Sequence, residues 1–396
     1  MKKRAFIYLF IFMSLCIGFF TIFHTELSCV ASAETQEDAA ASLNETILEQ
    51  INALDLAELD EYVQGLSGFS DKTVADRLVE YIKSGNVDYQ SIGKQITTIL
   101  FSKVAEILPI FACIAAITLL SGLISIMGSG SIANTTSDMI FLITYVAALI
   151  PLIAVLTECF QESMACISSM QRQMQLIFPL MLTLMAASGG TVSAAVCRPA
   201  VGFFATNIVS IFYSVVFPIT IVIITLSMAS SLTKVLKINK FTSFFKSINK
   251  WIIGVCISAF GIFFTLQGIT AANYDGIVRR TAKYAIGNGI PIVGGFLSGG
   301  FDLAVAGSVL IKNALGSMSI FLMIAVIFEP IILLISVNVL LRLTAAITQP
   351  FGDGRISDCL EETARNLHYC TAGVLFTAFL YFLSIMLMVC ASEALF

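Results

Sequence analysis

The sequence has 396 residues, of which 57% are hydrophobic and only 12% are charged, with a formal net charge of −4. Soluble domains carry about a quarter charged residues, so this composition excludes an ordinary soluble domain and predicts a polytopic membrane protein. No basic tract indicates a nucleic-acid ligand.

The first 33 residues are typical of a secretory signal. A basic start precedes an apolar run from Ala5 to Phe23, and Ala31 and Ala33 form the small-x-small pattern of a cleavage site. We therefore predict cleavage after Ala33, which places the mature N-terminus outside the cytoplasm. The alternative is an uncleaved first membrane helix, because the apolar run is long for a signal.

Residues 34–100 are predicted to form an extracytoplasmic helical segment rich in acidic residues. Apolar residues recur at helical spacing from Leu43 to Leu54 and again between Thr73 and Lys83, with Gly65-Leu66-Ser67-Gly68 between them. A segment of about 65 residues buries little core by itself. We expect it to pack on its own membrane domain or on a partner.

Residues 101–396 are predicted to be a polytopic membrane domain. Because a helix needs about 20 apolar residues to cross a bilayer, the clear candidates are 104–127, 139–157, 203–230, 251–271, 317–341 and 373–391. Two more apolar stretches, 174–200 and 284–311, are cut by glycine and either span or form re-entrant hairpins. The predicted fold is an all-α polytopic membrane protein with about six to eight transmembrane helices and two Gly-broken segments.

The distribution of basic residues favours the hairpins. Short cytoplasmic loops collect lysine and arginine. If both broken segments are hairpins, five lysines from Lys234 to Lys250 face the cytoplasm, whereas three basic residues from Arg279 to Lys283 do so if both segments span. Residues 342–372 are predicted to be a cytoplasmic loop in either arrangement.

The two broken stretches resemble each other and predict an internal repeat. Pro179 and Pro291 are 112 residues apart, as are Pro218 and Pro330. We predict two units, 139–230 and 251–341, and the alternative is coincidence within apolar sequence. Broken segments in corresponding positions point to the central site of transporters. The predicted backbone breaks are Pro179, Gly189, Gly190, Pro291, Gly294, Gly295, Gly299, Gly300 and Pro330.

Several polar residues lie in or beside these apolar stretches. Glu329 is near the middle of 317–341, where a carboxylate costs several kcal/mol unless it is paired or wetted. Next to it, Pro330 cannot donate to the carbonyl of Val326. Asp302 and Lys312 flank the second hairpin and are expected to pair. The candidates for a polar path, or alternatively for buried ion pairs, are Glu329, Asp302, Lys312, Arg198 and Asn313.

The sequence contains no pattern of an enzyme site. It has no P-loop, no H-E-x-x-H and no G-x-S-x-G motif, and none of its ten cysteines forms a C-x-x-C pair. We therefore expect no catalytic residues, no cofactor and no metal. A transporter driven by ATP would need another subunit as its motor.

One long motif resembles a known family. KYAIGNGIPIVGG at 283–295, followed by Asp302 and by SVLIKNALG at 308–316, is similar to the signature of stage III sporulation protein AE from endospore-forming bacteria. The order of signal, short extracytoplasmic segment and polytopic domain is also similar. Gly299-Gly300-Phe301 departs from the pattern, because the resemblance leads us to expect a more polar run there.

The resemblance implies a membrane subunit of a transenvelope channel or secretion-like complex between mother cell and forespore, needed for forespore development. It implies a multi-pass protein in the mother-cell membrane facing the engulfed forespore, with its mature N-terminus in the intermembrane space. The implied partners are other stage III sporulation A-operon membrane proteins, their cytoplasmic ATPase and, indirectly, the forespore-membrane channel partner. Lys234 to Lys250 would then contact the ATPase or anionic lipid. The alternative function is a permease-like transporter that moves a small solute between two broken-helix repeats.

Overall fold

The computed structural model describes residues 37–65, 72–84, 89–128, 134–203, 207, 209–232, 238–270, 294–350 and 354–390. Every regular element in these ranges is helical. In chain order the helices are α1 (Glu37–Ala53), α2 (Ala57–Gln64), α3 (Val74–Ser84), α4 (Tyr89–Gly128), α5 (Asn134–Ala187), α6 (Thr191–Phe203), α7 (Val209–Leu232), α8 (Asn239–Thr270), α9 (Gly294–Thr348) and α10 (Gly354–Cys390).

Six of these helices are long and apolar enough to cross a membrane. Each candidate span overlaps one of the six stretches predicted from hydropathy, and the all-α polytopic fold is therefore confirmed. The candidate spans are Ser102–Ile124, Met139–Ala187, Val209–Leu232, Lys240–Ile262, Leu303–Thr348 and Gly354–Cys390.

Three long helices, α5, α9 and α10, form the centre of the bundle, and α9 runs antiparallel to the other two. Pairs of contacting residues show the direction, since Ser357 on α10 bonds to Ala345 on α9 whereas Lys312, near the start of α9, bonds to Val389 near the end of α10. Helix α5 has 54 residues and α9 has 55. At 1.5 Å per residue each is about 80 Å long, far more than the roughly 30 Å of a bilayer core. Both helices therefore extend well beyond the membrane.

The remaining helices pack around this centre. Helix α4 lies against α5 and α9, whereas α7 packs on α10 and α8 packs on α7. Helices α1 and α3 contact α9, and α2 contacts α5. The amide of Gln50 on α1 donates to the carbonyl of Ala304 (2.9 Å), and its oxygen accepts from the Ser308 hydroxyl (3.2 Å). The helices of the N-terminal segment thus pack on the long helices of the same chain, one of the two expected arrangements.

The first Gly-broken stretch turns where glycine was predicted to break it, but not at its proline. Helix α5 runs through Pro179 without interruption. The chain turns at Gly189, which has a φ of 93°, a left-handed conformation that glycine adopts without steric cost. The Gly190 N–H donates to the carbonyl of Met185 (2.9 Å) and so caps α5. The turn then leads into α6.

The second Gly-broken stretch contains no turn in its described part. Helix α9 begins at Gly294 and runs continuously through Gly295, Gly299, Gly300 and Pro330, so the predicted breaks at these last four residues are wrong. The break at Gly294 stays a prediction, because residues 271–293 lie outside the described part of the chain. Glycine costs a helix only about 1 kcal/mol per residue, and tertiary packing overrides that preference. A proline likewise removes one bond without ending a helix that neighbours hold in place.

The two predicted repeat units accordingly differ. Unit 139–230 contains a helix, a turn and two further helices, whereas the described part of unit 251–341 after Thr270 is one continuous helix. A π-helical turn (Phe212–Val216) precedes Pro218, but α9 is α-helical around Pro330. Pro291, the 283–293 part of the family motif, Ala31 and Ala33 lie outside the described residues, so their predictions remain predictions.

Residues 342–372 are not a loop. Helix α9 continues to Thr348, and α10 begins at Gly354. The prediction of a loop is wrong for the described part of this range, because polarity alone does not distinguish a loop from an amphipathic helix. The charges in 354–372 recur at helical spacing, and one side of this helix is buried.

Large apolar side chains are exposed mainly at one end of the bundle. On α5 the exposed ones all lie between Met139 and Ile153, and on α9 four of the five lie between Ile335 and Ile347. These two stretches, which we call the apolar belt, are at the same level of the antiparallel pair and at the opposite end from α1–α3. Exposed apolar patches of this extent indicate contact with lipid.

A candidate functional site, the polar cluster of α8, α9 and α10

The five polar residues predicted as a path do not meet at one place. Glu329 on α9 forms an ion pair with Lys103 on α4 (Nζ–Oε1, 3.2 Å), and its side chain is 51% exposed. Lys103 also lies 3.7 Å from Glu106. Glu329 precedes Ile335, the first α9 residue of the apolar belt, by six positions or about 9 Å. It is therefore at the edge of the belt, and the length of α9 explains why 317–341 did not mark the bilayer centre.

Lys312 is fully buried between α9 and α10. Its ammonium group donates to the main-chain carbonyl of Val389 (2.6 Å), which ties the start of α9 to the end of α10. Lys312 is 17 residues, or about 25 Å, from Glu329 along the same helix. A charge this deep is tolerated only with close polar partners, so we assign Lys312 a structural role in this bundle.

The other three predicted residues lie on two helices, Arg198 on α6 and Asp302 and Asn313 on α9. Asn313 is partly buried, and its main-chain carbonyl accepts from the Ser317 hydroxyl (2.9 Å). Arg198 is exposed on α6. Asp302 lies on the helical backbone of α9, but its side chain is outside the described residues, so the pairing with Lys312 stays a prediction.

A denser group of charges is centred on α10 and includes residues of α8 and α9 that contact it. Lys246 on α8 forms an ion pair with Glu362 on α10, and the other oxygen of Glu362 accepts from the Arg365 guanidinium (2.9 Å). Glu362 thus links α8 to α10 and holds Arg365 at the surface. We call Lys246, Asn338, Arg342, Glu362, Arg365 and His368 the polar cluster.

The second half of the polar cluster links α9 to α10. The Arg342 Nε donates to the Asn338 side-chain oxygen (2.9 Å), and the Asn338 amide donates to the carbonyl of Ala364 (2.5 Å). A guanidinium nitrogen of Arg342 lies 3.2 Å from Nε2 of His368. Arginine only donates, so His368 Nε2 accepts in this pair.

The polar cluster lies at the level of the apolar belt. Arg342 is directly adjacent in sequence to Leu343, and Val339 precedes it by less than a turn; both apolar side chains are exposed. On the same side of α10, Asp358, Arg365 and His368 are exposed. Charged residues at membrane depth face a protein interior, a water-filled space or a partner. The polar cluster therefore interrupts the apolar belt with charged side chains.

Chemically, this arrangement suits binding and subunit contact. Its guanidinium, ammonium and carboxylate groups are already engaged in ion pairs, and they present both signs of charge toward the surface. Within the described residues, no group of three or more histidine, cysteine or acidic side chains is positioned to hold a metal. This cluster is not predicted from the sequence, because the polar residues of 354–372 indicate a loop as readily as a helix. The helical spacing of the charges in 354–372 is the signal that could have revealed it.

The fold and the apolar belt define a multi-pass α-helical membrane protein. The chain belongs to the stage III sporulation protein AE family, whose sequence model matches residues 74–392. It is 24% identical over 373 residues to stage III sporulation protein AE of Bacillus subtilis (strain 168), which is 93% of each chain. No solved structure matches. The family assigns the chain a role in sporulation, and the match covers the polar cluster and the Lys103–Glu329 pair.

Proposed function

We propose that the protein is a membrane subunit of a transenvelope channel or secretion-like complex between mother cell and forespore. It lies in the mother-cell membrane facing the engulfed forespore, as the family resemblance implies. Its partners there are other stage III sporulation A-operon membrane proteins and their cytoplasmic ATPase. Forespore development depends on the assembly, whose forespore-membrane partner is contacted indirectly.

The polar cluster is the observation that carries this proposal. Its exposed charges, among them Arg365 (55% exposed), lie beside lipid-facing apolar residues. Leaving such charges in hydrocarbon costs several kcal/mol. A neighbouring subunit, or a water-filled passage between subunits, removes that cost. A subunit of an assembly has neighbours that can cover these charges, whereas a protein that is surrounded only by lipid has none.

The two ends of the bundle suit different partners. Helices α1–α3 lie at the end opposite the belt and expose acidic side chains, including Glu45, Glu49 and Glu58. Lys240 and Lys250 lie on α8, which pairs with α10 at the belt end. The enrichment of lysine in cytoplasmic segments supports placing the α8 start in the mother-cell cytoplasm and α1–α3 in the intermembrane space.

The test is capture of the tagged full-length protein from sporulating cells that lack the native gene. We expect the other A-operon membrane proteins to co-purify with the native sequence. Asp358→Asn combined with Arg365→Gln should lower their recovery about tenfold, at unchanged protein level, and should lower the count of heat-resistant spores. Lys72→Gln, an exposed lysine on the α3 side, is the matched control and should change neither readout. Full recovery and wild-type spore counts with the double variant would contradict the proposal.

The alternative, a permease-like transporter, is favoured by a different observation. The Lys103–Glu329 pair and the polar cluster place charges at two levels of the same helices, as a solute path would. The purified protein in liposomes should then take up a small solute without partners, and Glu329→Gln should abolish that uptake. No uptake together with normal partner capture favours the subunit.

A further inference from the structure

The first three turns of α8 expose three aromatic side chains and bury two polar ones. Phe241, Phe244 and Trp251 are 65%, 58% and 71% exposed. Thr242 and Asn249, in contrast, are buried. This is the reverse of a helix that faces water, where the apolar side turns inward.

The direction of this outer face is fixed by contacts on the inner side. The Asn249 amide donates to the Thr220 hydroxyl on α7 (3.0 Å), and Lys246 pairs with Glu362 on α10. Further along, Cys256 and Phe260 continue the buried side. The exposed aromatic rings are therefore not a consequence of a loosely placed helix.

Two lysines flank the exposed rings. Lys240, Phe244 and Trp251 follow one another at helical spacing on the outer side, and Lys250 lies beside Trp251; both lysines are exposed. The sequence contains no acidic residue between Glu162 and Asp275, so no carboxylate on α8 competes for these lysines. Lysine next to tryptophan and phenylalanine is the composition of a membrane–water boundary with anionic headgroups.

We propose that residues 239–251 are an interfacial binding site for anionic phospholipid headgroups. Lys240 and Lys250 pair with lipid phosphate, while Phe241, Phe244 and Trp251 lie at the boundary between headgroups and acyl chains. The charge sign selects anionic over zwitterionic lipid by about fivefold for each lysine. Lys246 lies in the same stretch but pairs with Glu362 on the inner side, so the site uses only the outward lysines, Lys240 and Lys250. It holds the α8 end of the bundle at the membrane surface.

Trp251 is the single tryptophan of the chain, so its fluorescence reports this site directly. The full-length protein is reconstituted in mixed phosphatidylcholine and phosphatidylglycerol bilayers in which one of the two lipids carries bromine. We expect brominated phosphatidylglycerol to quench Trp251 more than brominated phosphatidylcholine at equal mole fraction. Bromine near the headgroup should quench more than bromine near the chain end. Adding 0.5 M salt shortens the electrostatic screening length to about 5 Å and should therefore reduce the preference for phosphatidylglycerol.

A double variant then assigns the preference to the lysines. Lys240→Gln with Lys250→Gln should reduce the relative association of phosphatidylglycerol about 25-fold, fivefold for each lysine. Lys72→Gln, an exposed lysine just before α3, should leave it unchanged. Equal quenching by both brominated lipids in the unmodified protein would overturn the proposal, and this result needs no variant to fold. Quenching by aqueous acrylamide but not by brominated lipid would also overturn it, because it would place Trp251 in water. Neither outcome depends on partner capture, so the proposed channel role is tested separately.

Discussion

The thiol of Cys166 on α5 donates to the main-chain carbonyl of Val326 on α9, with 3.7 Å between sulfur and oxygen. Pro330 has no N–H, so this carbonyl lacks the donor that residue 330 of a regular helix supplies. A side chain of one helix thus satisfies the backbone group that a proline leaves open in its neighbour. This contact explains how α9 passes through Pro330 without a break.

The first prediction concerns this contact. Cys166→Ala should lower the free energy of unfolding by about 1 kcal/mol, because it leaves a buried carbonyl without its donor. In a Pro330→Ala background the N–H of residue 330 bonds to Val326 itself, and Cys166→Ala should then cost less. Thermal melting of the four proteins in detergent gives the coupling. Equal costs of Cys166→Ala in both backgrounds would show that the thiol does not serve the proline.

The second prediction concerns the packing of α9 on α10. A Cβ on Gly316 would lie 2.6 Å from Cγ2 of Val389, a stiff side chain that is itself buried. Gly316→Ala should therefore push the helices apart and cost about 1–3 kcal/mol in thermal melting. Gly254→Ala on α8 is the control, since nothing lies within 4 Å of its Cβ, and it should be neutral or slightly stabilising. Similar melting of both variants would contradict the close packing.

The third prediction concerns Tyr62, which docks α2 on α5. Its hydroxyl donates to the Ser169 carbonyl (3.4 Å) and accepts from the Gln173 amide (3.1 Å). Burial raises the pKa of Tyr62 above its usual value, although the hydrogen bond with Gln173 opposes the rise. The protonated form is thus favoured in the docked state. The resulting stability is complete below the usual pKa of about 10 and is lost as pH rises through the higher folded pKa.

Tyr62→Phe tests this directly, because phenylalanine cannot ionise. Below pH 10 the substitution should cost about 1 kcal/mol, through the hydrogen bonds it removes. That cost should shrink between pH 10 and 11, where the native tyrosine loses its advantage. Melting curves of both proteins across pH 8–11 provide the comparison, and a constant difference over this range would refute a raised pKa.

The fourth prediction concerns the Lys103–Glu329 pair at the edge of the belt. Glu329→Gln should change the free energy of unfolding, measured by thermal melting, by at most about 1 kcal/mol. Half of the Glu329 side chain is exposed, and water therefore screens the ion pair. If the protein is a subunit rather than a transporter, heat-resistant spore counts should stay at the wild-type level. A stable Glu329→Gln protein that cannot support sporulation would instead favour the permease-like function.

Reversing the two charges of the Lys103–Glu329 pair, first one and then both, tests whether the two side chains interact. Lys103→Glu brings a fourth acid next to Glu106, Glu158 and Glu329, which surround Lys103, and should lower the melting temperature. Adding Glu329→Lys restores an ion pair with opposite polarity and should recover most of the loss. No recovery in the double variant would show that the two side chains do not act on each other.

The contacts of the candidate site could not be predicted from residue patterns in the sequence. Glu329 and Lys312 stand out in the sequence because charge is rare in apolar stretches, but sequence spacing does not give their partners. Glu329 pairs with Lys103, which is 226 positions away, and Lys312 donates to Val389. The polar cluster was missed because polar residues such as Glu362 and His368 are usual in both loops and amphipathic helices.

The sequence by itself determined the class of protein, its six apolar spans, the presence of helices within residues 34–100 and its family. These properties follow from composition, periodicity and a contiguous motif, all of which are local along the chain. Only the tertiary structure decided that Gly189 turns the chain while Gly299 and Gly300 do not, and that Cys166 supports α9 at Pro330. The energy that keeps a weak helix former helical, or a charge buried, comes from neighbours distant in sequence, and local pattern does not contain it.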